Sequence, residues 1–222
     1  MLTKIKFVCK EGIYVKKFVK AILNFFICHV LYRVEYINKE NEEKLESCVI
    51  CPNHSSTIEA FYIWSKTDEL NTMAKAEHFN NKLKATVLKW LGIFPVRRGE
   101  KDVASMLHAI RVLKNYKQKL LIFPEGTRVT NDFRRSIAHT GPLYIAAKAG
   151  VPVVPVFITR LPKKFSKVKV IYGKPLYISE KICNDKNKLK EIAENMVNDI
   201  YMMGNINRKE MLKKDSKNRK GV

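Results

Sequence analysis

Short apolar runs closed by proline or glycine turns recur along this chain, and longer stretches of helical period separate them. That alternation restricts the fold to an α/β sheet layered by helices. The run at residues 47–51 is closed by Pro52 and the run at 120–123 by Pro124. Residues 71–74, 93–96, 153–158 and 168–172 read as further strands. Helices are expected over 58–64, 78–91, 103–116, 142–149 and 182–203, with Gly92 and Gly150 as stops for the second and fourth. On 103–116 the apolar residues Val103, Met106, Leu107, Ile110 and Leu113 share one face. Residues 38–46 are charged and read as a linker. The expected architecture is a mixed, largely parallel sheet flanked by helices. A chain of this length buries roughly 70% of the surface its unfolded form exposes, so no staple is required.

The amino-terminal region differs from the rest. Residues 12–34 have helical period through Phe18, Ile22, Phe25, Phe26, Val30 and Leu31, with Lys16, Lys17 and Lys20 at the leading end. Lysines interrupt any secretory apolar run. The longest apolar stretch, 21–32, carries Asn24 and His29 and falls short of the ~20 residues that a spanning helix needs. An amphipathic, membrane-associated helix fits better, aromatics entering the acyl boundary and lysine stems reaching the headgroups, with a core helix of the domain as the competing reading. Formal net charge is +21, from 42 Lys and Arg against 21 Asp and Glu. Such a surface seeks a polyanion: nucleic acid, an anionic membrane or a phosphorylated substrate. Aromatics do not interleave with the basic residues as a stacking platform requires. No nucleic acid is therefore expected, although a basic nucleic-acid-binding protein remains the competing class. Three parts follow: a membrane-interface helical segment over 1–40, the main domain over 41–205, and a basic tail over 206–222, of which 213–220 has no apolar period.

The five cysteines, at 9, 28, 48, 51 and 183, are odd in number and match no secreted framework, which suits a reducing compartment. Cys48 and Cys51 form a C-x2-C, but a structural zinc needs four ligands and no second pair exists. No metal is expected, and buried packing is the favoured reading of both thiols.

Three strand ends carry chemistry. The first is Asn53-His54-Ser55-Ser56-Thr57-Ile58-Glu59. A histidine beyond a strand end sits where open α/β sheets bind ligands, and it can take a proton from a hydroxyl near neutral pH. Glu59 could fix its tautomer. The same residues also read as a capping box, Ser56-x-x-Glu59, which would leave Glu59 with only a structural task. The second is Leu121-Ile122-Phe123-Pro124-Glu125-Gly126-Thr127-Arg128, where a glycine admits close backbone approach and Thr127 and Arg128 offer donors to a phosphate. The third is Gly92-Ile93-Phe94-Pro95-Val96-Arg97-Arg98-Gly99. Each could equally be an ordinary charged turn.

Together these segments resemble the lysophospholipid acyltransferase family, the glycerolipid acyltransferases that include the 1-acylglycerol-3-phosphate acyltransferases. The family's blocks N-H-x4-D, G-x5-R, F-P-E-G-T-R and V-P-V-x-P are matched in order by 53–59, 92–98, 123–128 and 151–155, and its A-K-x-E segment by 74–77. The resemblance covers roughly residues 45–180. It implies that His54 deprotonates the acceptor hydroxyl for direct attack on an acyl thioester and that Glu59 orients it. It implies that Arg98, with Arg97 beside it, and Glu125, Gly126, Thr127 and Arg128 hold the acceptor phosphate. Val153 and Pro155 fall in the region linked with acyl-donor binding or sheet packing. It implies no covalent intermediate, so Ser55 and Ser56 are not nucleophiles. It implies no cofactor; the co-substrate is acyl-CoA or acyl-carrier protein, the acceptor a lysophospholipid, and the location the cytoplasmic face of the cell membrane, peripheral or monotopic. The chain departs from the pattern twice: Glu59 replaces the usual aspartate, and His139 stands where a lysine often precedes the next glycine, here Gly141. Arg134 or Arg135 are candidates to replace that lysine.

Overall fold

The computed structural model describes residues 15–97 and 102–217. A sheet of seven strands has the order β1-β7-β6-β2-β5-β3-β4. Its strands are β1 (Arg33–Ile37), β2 (Val49–Pro52), β3 (Leu70–Lys75), β4 (Ile93–Val96), β5 (Lys119–Leu121), β6 (Val153–Ile158) and β7 (Lys167–Tyr172). Neighbours pair in parallel except β6 and β7. Strands β6, β2, β5, β3 and β4 therefore run one way, and β1 and β7 the other. The sheet is mixed and largely parallel, as the sequence pattern implied.

Side chains on the two faces of β2 enter different cores. Ile50, with Cys48 just before the strand, joins a cluster completed by Cys28, Tyr62, Ile63, Val154, Val156 and Val170. Val49 and Cys51 join the other, with Ala109, Leu113, Leu143, Ala146, Leu189 and Tyr201. The first cluster is capped by α1 (residues 15–31, its final part the π-helical Phe25–Leu31) and α3 (Glu59–Lys66). The second is capped by α5 (Val103–Lys114), α6 (Gly141–Ala149) and α7 (Lys186–Met203). A strand buried on both faces reads as a continuous apolar run, which is why β2, β5 and β6 were visible in the sequence. The two thiols of the C-x2-C thus point apart into separate cores, and burial pushes the Cys48 thiol up to about 12. The crossover helix between β3 and β4 is α4 (Lys82–Trp90), and no residue of it is buried. After it Gly92 has φ +86, and an added Cβ would lie 2.6 Å from the Leu70 carbonyl oxygen, so only glycine fits this entry to β4.

Three expectations are corrected. The helix predicted over 12–34 ends at Leu31, and Arg33–Ile37 is a strand; its first residues lie outside those described. Residues 38–46 are not a plain linker, because Glu40–Glu43 forms the short helix α2 and Glu42 is buried. Its carboxylate accepts from Lys119 Nζ at 2.5 Å and Lys39 Nζ at 3.2 Å. The stretch after 206 is not a free tail through its length: Arg208–Lys217 forms α8, and Arg208 is buried. Arg208 and Asp215 tie it to the domain by hydrogen bonds, and Met211 and Leu212 pack against the core.

Replacing Lys119 by methionine leaves Glu42 with Lys39 alone. Unfolding free energy measured by urea titration should fall by about 2 kcal/mol, less than the full cost of a stranded buried charge because one lysine remains. Adding Glu42→Gln should recover part of that loss.

Candidate functional site

Pro52 ends β2, and the next residue extends the ladder with its side chain. Asn53 Oδ1 accepts from Ile158 N at 2.7 Å, and Asn53 Nδ2 donates to Ile158 O at 3.0 Å. The carboxamide imitates one more rung of the β2–β6 pairing. This clip delivers His54 to the carboxyl edge of the central strand. The imidazole stacks on Phe123, with centroids 3.8 Å apart and planes at 21°. Its side chain retains 15% exposure.

His54 Nδ1 lies 3.0 Å from Glu59 Oε2. The buried Glu59 carboxylate also accepts from Ser55 N at 2.8 and 3.0 Å and from Ser55 Oγ at 2.5 Å. These donors satisfy a carboxylate withdrawn from water. Glu59 is the first residue of α3, where the helix dipole also favours an anion. The capping box does not form: Ile58 precedes the helix with no side-chain cap, and Glu59 turns back to residues 54 and 55. A carboxylate at Nδ1 puts the proton there and leaves Nε2 as the basic nitrogen. Among the described residues no hydrogen bond is made by Nε2.

Glu125 is reassigned. The sequence grouped it with phosphate binding, yet it is only 1% exposed. Its Oε2 accepts the His54 backbone N–H at 3.0 Å, and its Oε1 accepts from Tyr201 OH at 2.8 Å and from Ser136 Oγ. Behind Ser136, Arg208 Nε donates to Ser136 Oγ at 2.8 Å and Nη2 to the Ser136 carbonyl. Arg208 Nη1 reaches Glu194 and Asn198 of α7, each at 2.8 Å. A carboxyl group buried among three donors, 1% exposed, is turned away from a phosphate site and would repel a phosphate. Glu125 instead fixes the backbone that carries His54. Ser136, Tyr201 and Arg208 escaped the sequence reading because they lie far along the chain and carry no local pattern. Asn53 and Ser55 were inside the first motif and could have been read as its scaffolding.

The other motif residues surround this clamp. Gly126 has φ +62, and a Cβ there would meet His139 Nε2 at 2.9 Å, so the exposed imidazole at the lysine-like position lies directly on the glycine. Arg135 Nη2 donates to Thr127 Oγ1 at 3.4 Å, whereas Arg134 is held by Asp132 at 2.8 and 2.9 Å. Of the two suggested substitutes for the lysine, Arg135 is the one brought to the motif. Arg128 is exposed. Arg97 is exposed, and its backbone N–H donates to Asp102 Oδ2 at 2.8 Å; Arg98 lies outside the described residues. Val153 is fully buried opposite Val49 in the sheet core, as the sheet-packing alternative has it. Pro155 lies in the same strand, its carbonyl accepting from Gly173 N at 2.8 Å. An apolar cavity of roughly 230 Å³ opens on the α3 face, lined by Leu23, Thr57, Phe61, Trp64 and Leu91 among others. Among the described residues no group of three or more His, Cys, Asp or Glu could hold a metal.

Burial raises the Glu125 carboxyl above its ordinary 4.5, against the lowering pull of Ser136, the His54 N–H, Tyr201 and Arg208. Between 4.5 and the raised value, the folded state keeps a proton that the unfolded chain has released. Through that window this group therefore lowers stability as pH rises. Glu125→Gln should remove that slope, which urea midpoints measured across the mildly acidic range would reveal as a difference in shape between the two curves.

The Acyltransferase family description matches residues 33–159, more than half of the chain. The chain is 32% identical over 152 residues to a 1-acyl-sn-glycerol-3-phosphate acyltransferase of Bacillus subtilis, covering 65% of this chain and 74% of that protein. It is 27% identical over 211 residues to a chloroplastic protein of the same activity from Brassica napus, covering 86% of this chain but 60% of that one. For the Streptococcus pneumoniae relative, 31% identical over 128 residues, it spans 47% of the length. The crystal structure of the 1-acyl-sn-glycerophosphate acyltransferase PlsC from Thermotoga maritima superposes with a TM-score of 0.56 at 26% identity, over 74% of this chain and 68% of that one. With His54 and Glu59 paired at the edge of a sheet of the same fold, this chain belongs to the Acyltransferase family.

Proposed function

We propose that the chain transfers a fatty acyl group from an acyl thioester to the free hydroxyl of a lysophospholipid, with 1-acyl-sn-glycerol-3-phosphate as acceptor and phosphatidic acid as product. The observation that carries this reading is the His54–Glu59 pair, Nδ1 to Oε2 at 3.0 Å, with Nε2 left for a substrate. The names of the Bacillus, Brassica and Streptococcus relatives and of the Thermotoga structure supply the acceptor.

In this mechanism Nε2 takes the hydroxyl proton as the oxygen attacks the thioester carbonyl. The imidazolium is stabilised by its hydrogen bond to Glu59. Collapse of the tetrahedral intermediate forms the ester, breaks the carbon–sulfur bond and returns the proton to the departing thiolate. The donor is acyl-CoA or acyl-carrier protein. Thr127, Arg128 and Arg135, with Arg97 and Arg98 from the neighbouring strand end, would hold the acceptor phosphate and fix the hydroxyl's position. The apolar cavity beside Thr57 and Phe61 suits part of an acyl chain.

The enzyme would work at the cytoplasmic face of the membrane without crossing it. Among the described residues no helix is long and apolar enough to span a bilayer. On α1, Phe18, Phe25 and Phe26 are more than half exposed beside Lys17, an arrangement that suits the interface of an anionic leaflet.

His54→Ala should lower acyl transfer to lysophosphatidic acid by about 10²–10⁴-fold with the fold retained. A loss of less than tenfold would dismiss His54 as the base. Glu59→Gln should reduce turnover by roughly 10²-fold through the lost imidazolium partner. A change in melting temperature without a change in turnover would leave Glu59 a purely structural role. Both are read by thioester consumption with acyl-CoA and acyl-carrier-protein donors in parallel.

A further inference from the structure

The connection between β6 and β7 lies at the same sheet edge as His54, because it continues from the carboxyl end of β6. Its sequence is Thr159-Arg160-Leu161-Pro162-Lys163-Lys164-Phe165-Ser166. Leu161 and Phe165 are 44% and 62% exposed, and Lys163 and Lys164 are exposed between them. The turn thus presents two apolar side chains around a pair of cations, the residue mix of an anionic lipid interface. From Thr159 to Ser179 there is no Asp or Glu, while Arg160, Lys163, Lys164, Lys167, Lys169 and Lys174 supply positive charge.

The loop is hydrogen-bonded at both ends. Leu161 and Phe165 adopt φ +46 and +63, conformations that side chains rarely take and that persist only where surroundings enforce them. At one end, Leu161 N donates to Ser55 Oγ at 3.0 Å, the hydroxyl that itself donates to Glu59. Arg160 lies 4.3 Å over the Phe133 ring and donates to the Val129 carbonyl at 3.0 Å. At the other end, Phe165 N donates to Leu31 O, the last residue of α1, at 2.6 Å. Arg33 N donates to Ser166 O at 3.0 Å, and Arg33 Nη2 to Phe165 O at 3.3 Å. Backbone strain is thus spent on presenting two apolar tips and two lysines to solvent, in contact with the helix that exposes Phe18, Phe25 and Phe26.

We propose that residues 159–166 are a preformed docking prong for an anionic lipid surface, in which Phe165 and Leu161 enter the interface and Lys163 and Lys164 meet the headgroups. This rests on the membrane-surface reading of the protein and adds a second contact, tied by hydrogen bonds both to α1 and to the His54–Glu59 loop. The exposed Phe18, Phe25 and Phe26 of α1, the helix whose last residue the loop bonds, favour a bilayer over an acidic carrier protein, which would need only the charges. Docking through this prong sets the height of His54 above the lipid surface.

The test uses the full chain and flotation with phosphatidylcholine vesicles, with and without phosphatidylglycerol. Each lysine near an anionic leaflet contributes about 1 kcal/mol, roughly fivefold, so Lys163→Gln/Lys164→Gln should weaken binding to the phosphatidylglycerol vesicles by about 25-fold. Phe165→Ser should weaken binding to both vesicle types, with circular dichroism unchanged for either variant. Affinities indistinguishable from the parent's would overturn the proposal, as would a parent that binds no anionic vesicle. Unchanged vesicle affinity with a raised KM for acyl-carrier-protein donors would assign the loop to the carrier instead and also overturn it. A parent inactive on every lysolipid, whose loop variants still lose vesicle affinity, would sink the acyl-transfer reading and leave the docking surface standing.

Discussion

A carboxylate removed from water must be surrounded by donors, and the way Glu125 meets that demand organises the site. Its donors come from the loop after β2, from Ser136, and from Tyr201 at the end of α7. Arg208 adds α8 by holding Ser136 from behind. Hydrogen bonds to charged groups contribute about 1.5–3 kcal/mol each, and an unmet one costs comparably, so these elements are linked through one buried group. The backbone position of His54 is consequently set by residues up to the last helix of the domain. The Acyltransferase match ends at residue 159, yet the support of its first motif continues well beyond.

Two glutamates flank the same histidine and do different work. Glu125 grips the His54 backbone, and Glu59 grips its ring. Only the second can influence where the imidazole proton sits. The extra methylene of Glu59, relative to the aspartate of the resembling family, is accommodated by a fold-back that places both oxygens on Ser55 while one still reaches Nδ1. Ser55 is thereby explained without any nucleophilic role: its hydroxyl is committed to Glu59 and accepts from Leu161 N.

What could be read from the sequence tracks burial and separation. Strands β2, β5 and β6 are buried on both faces and stood out as apolar runs. Strand β1 did not, because Arg33 and Glu35 are exposed and the helical period of α1 runs straight into it. The His54–Glu59 pair was legible because both ends lie in one short motif. The inward turn of Glu125 was not, since an acid in a glycine turn looks like a surface residue and its partners Ser136 and Tyr201 are 11 and 76 positions away. Arg208 was hidden differently: one buried cation among many exposed ones has no signature in composition.

The topology explains why the α1 end and the His54 edge coincide. A parallel connection from β6 would have carried the chain back to the opposite edge of the sheet. Because β7 is antiparallel to β6, the connection stays where β6 ends, beside His54. Strand β1 pairs with β7 in parallel, Arg33 opposite Lys167, so β1 also begins at that edge. The end of α1 immediately precedes β1 and must arrive there too. One reversal of strand direction thus brings the apolar amino-terminal helix, the basic β6–β7 loop and the His54–Glu59 pair to a single side of the molecule. That arrangement suits the proposed reaction, in which the acceptor resides in a lipid surface and the donor arrives from water.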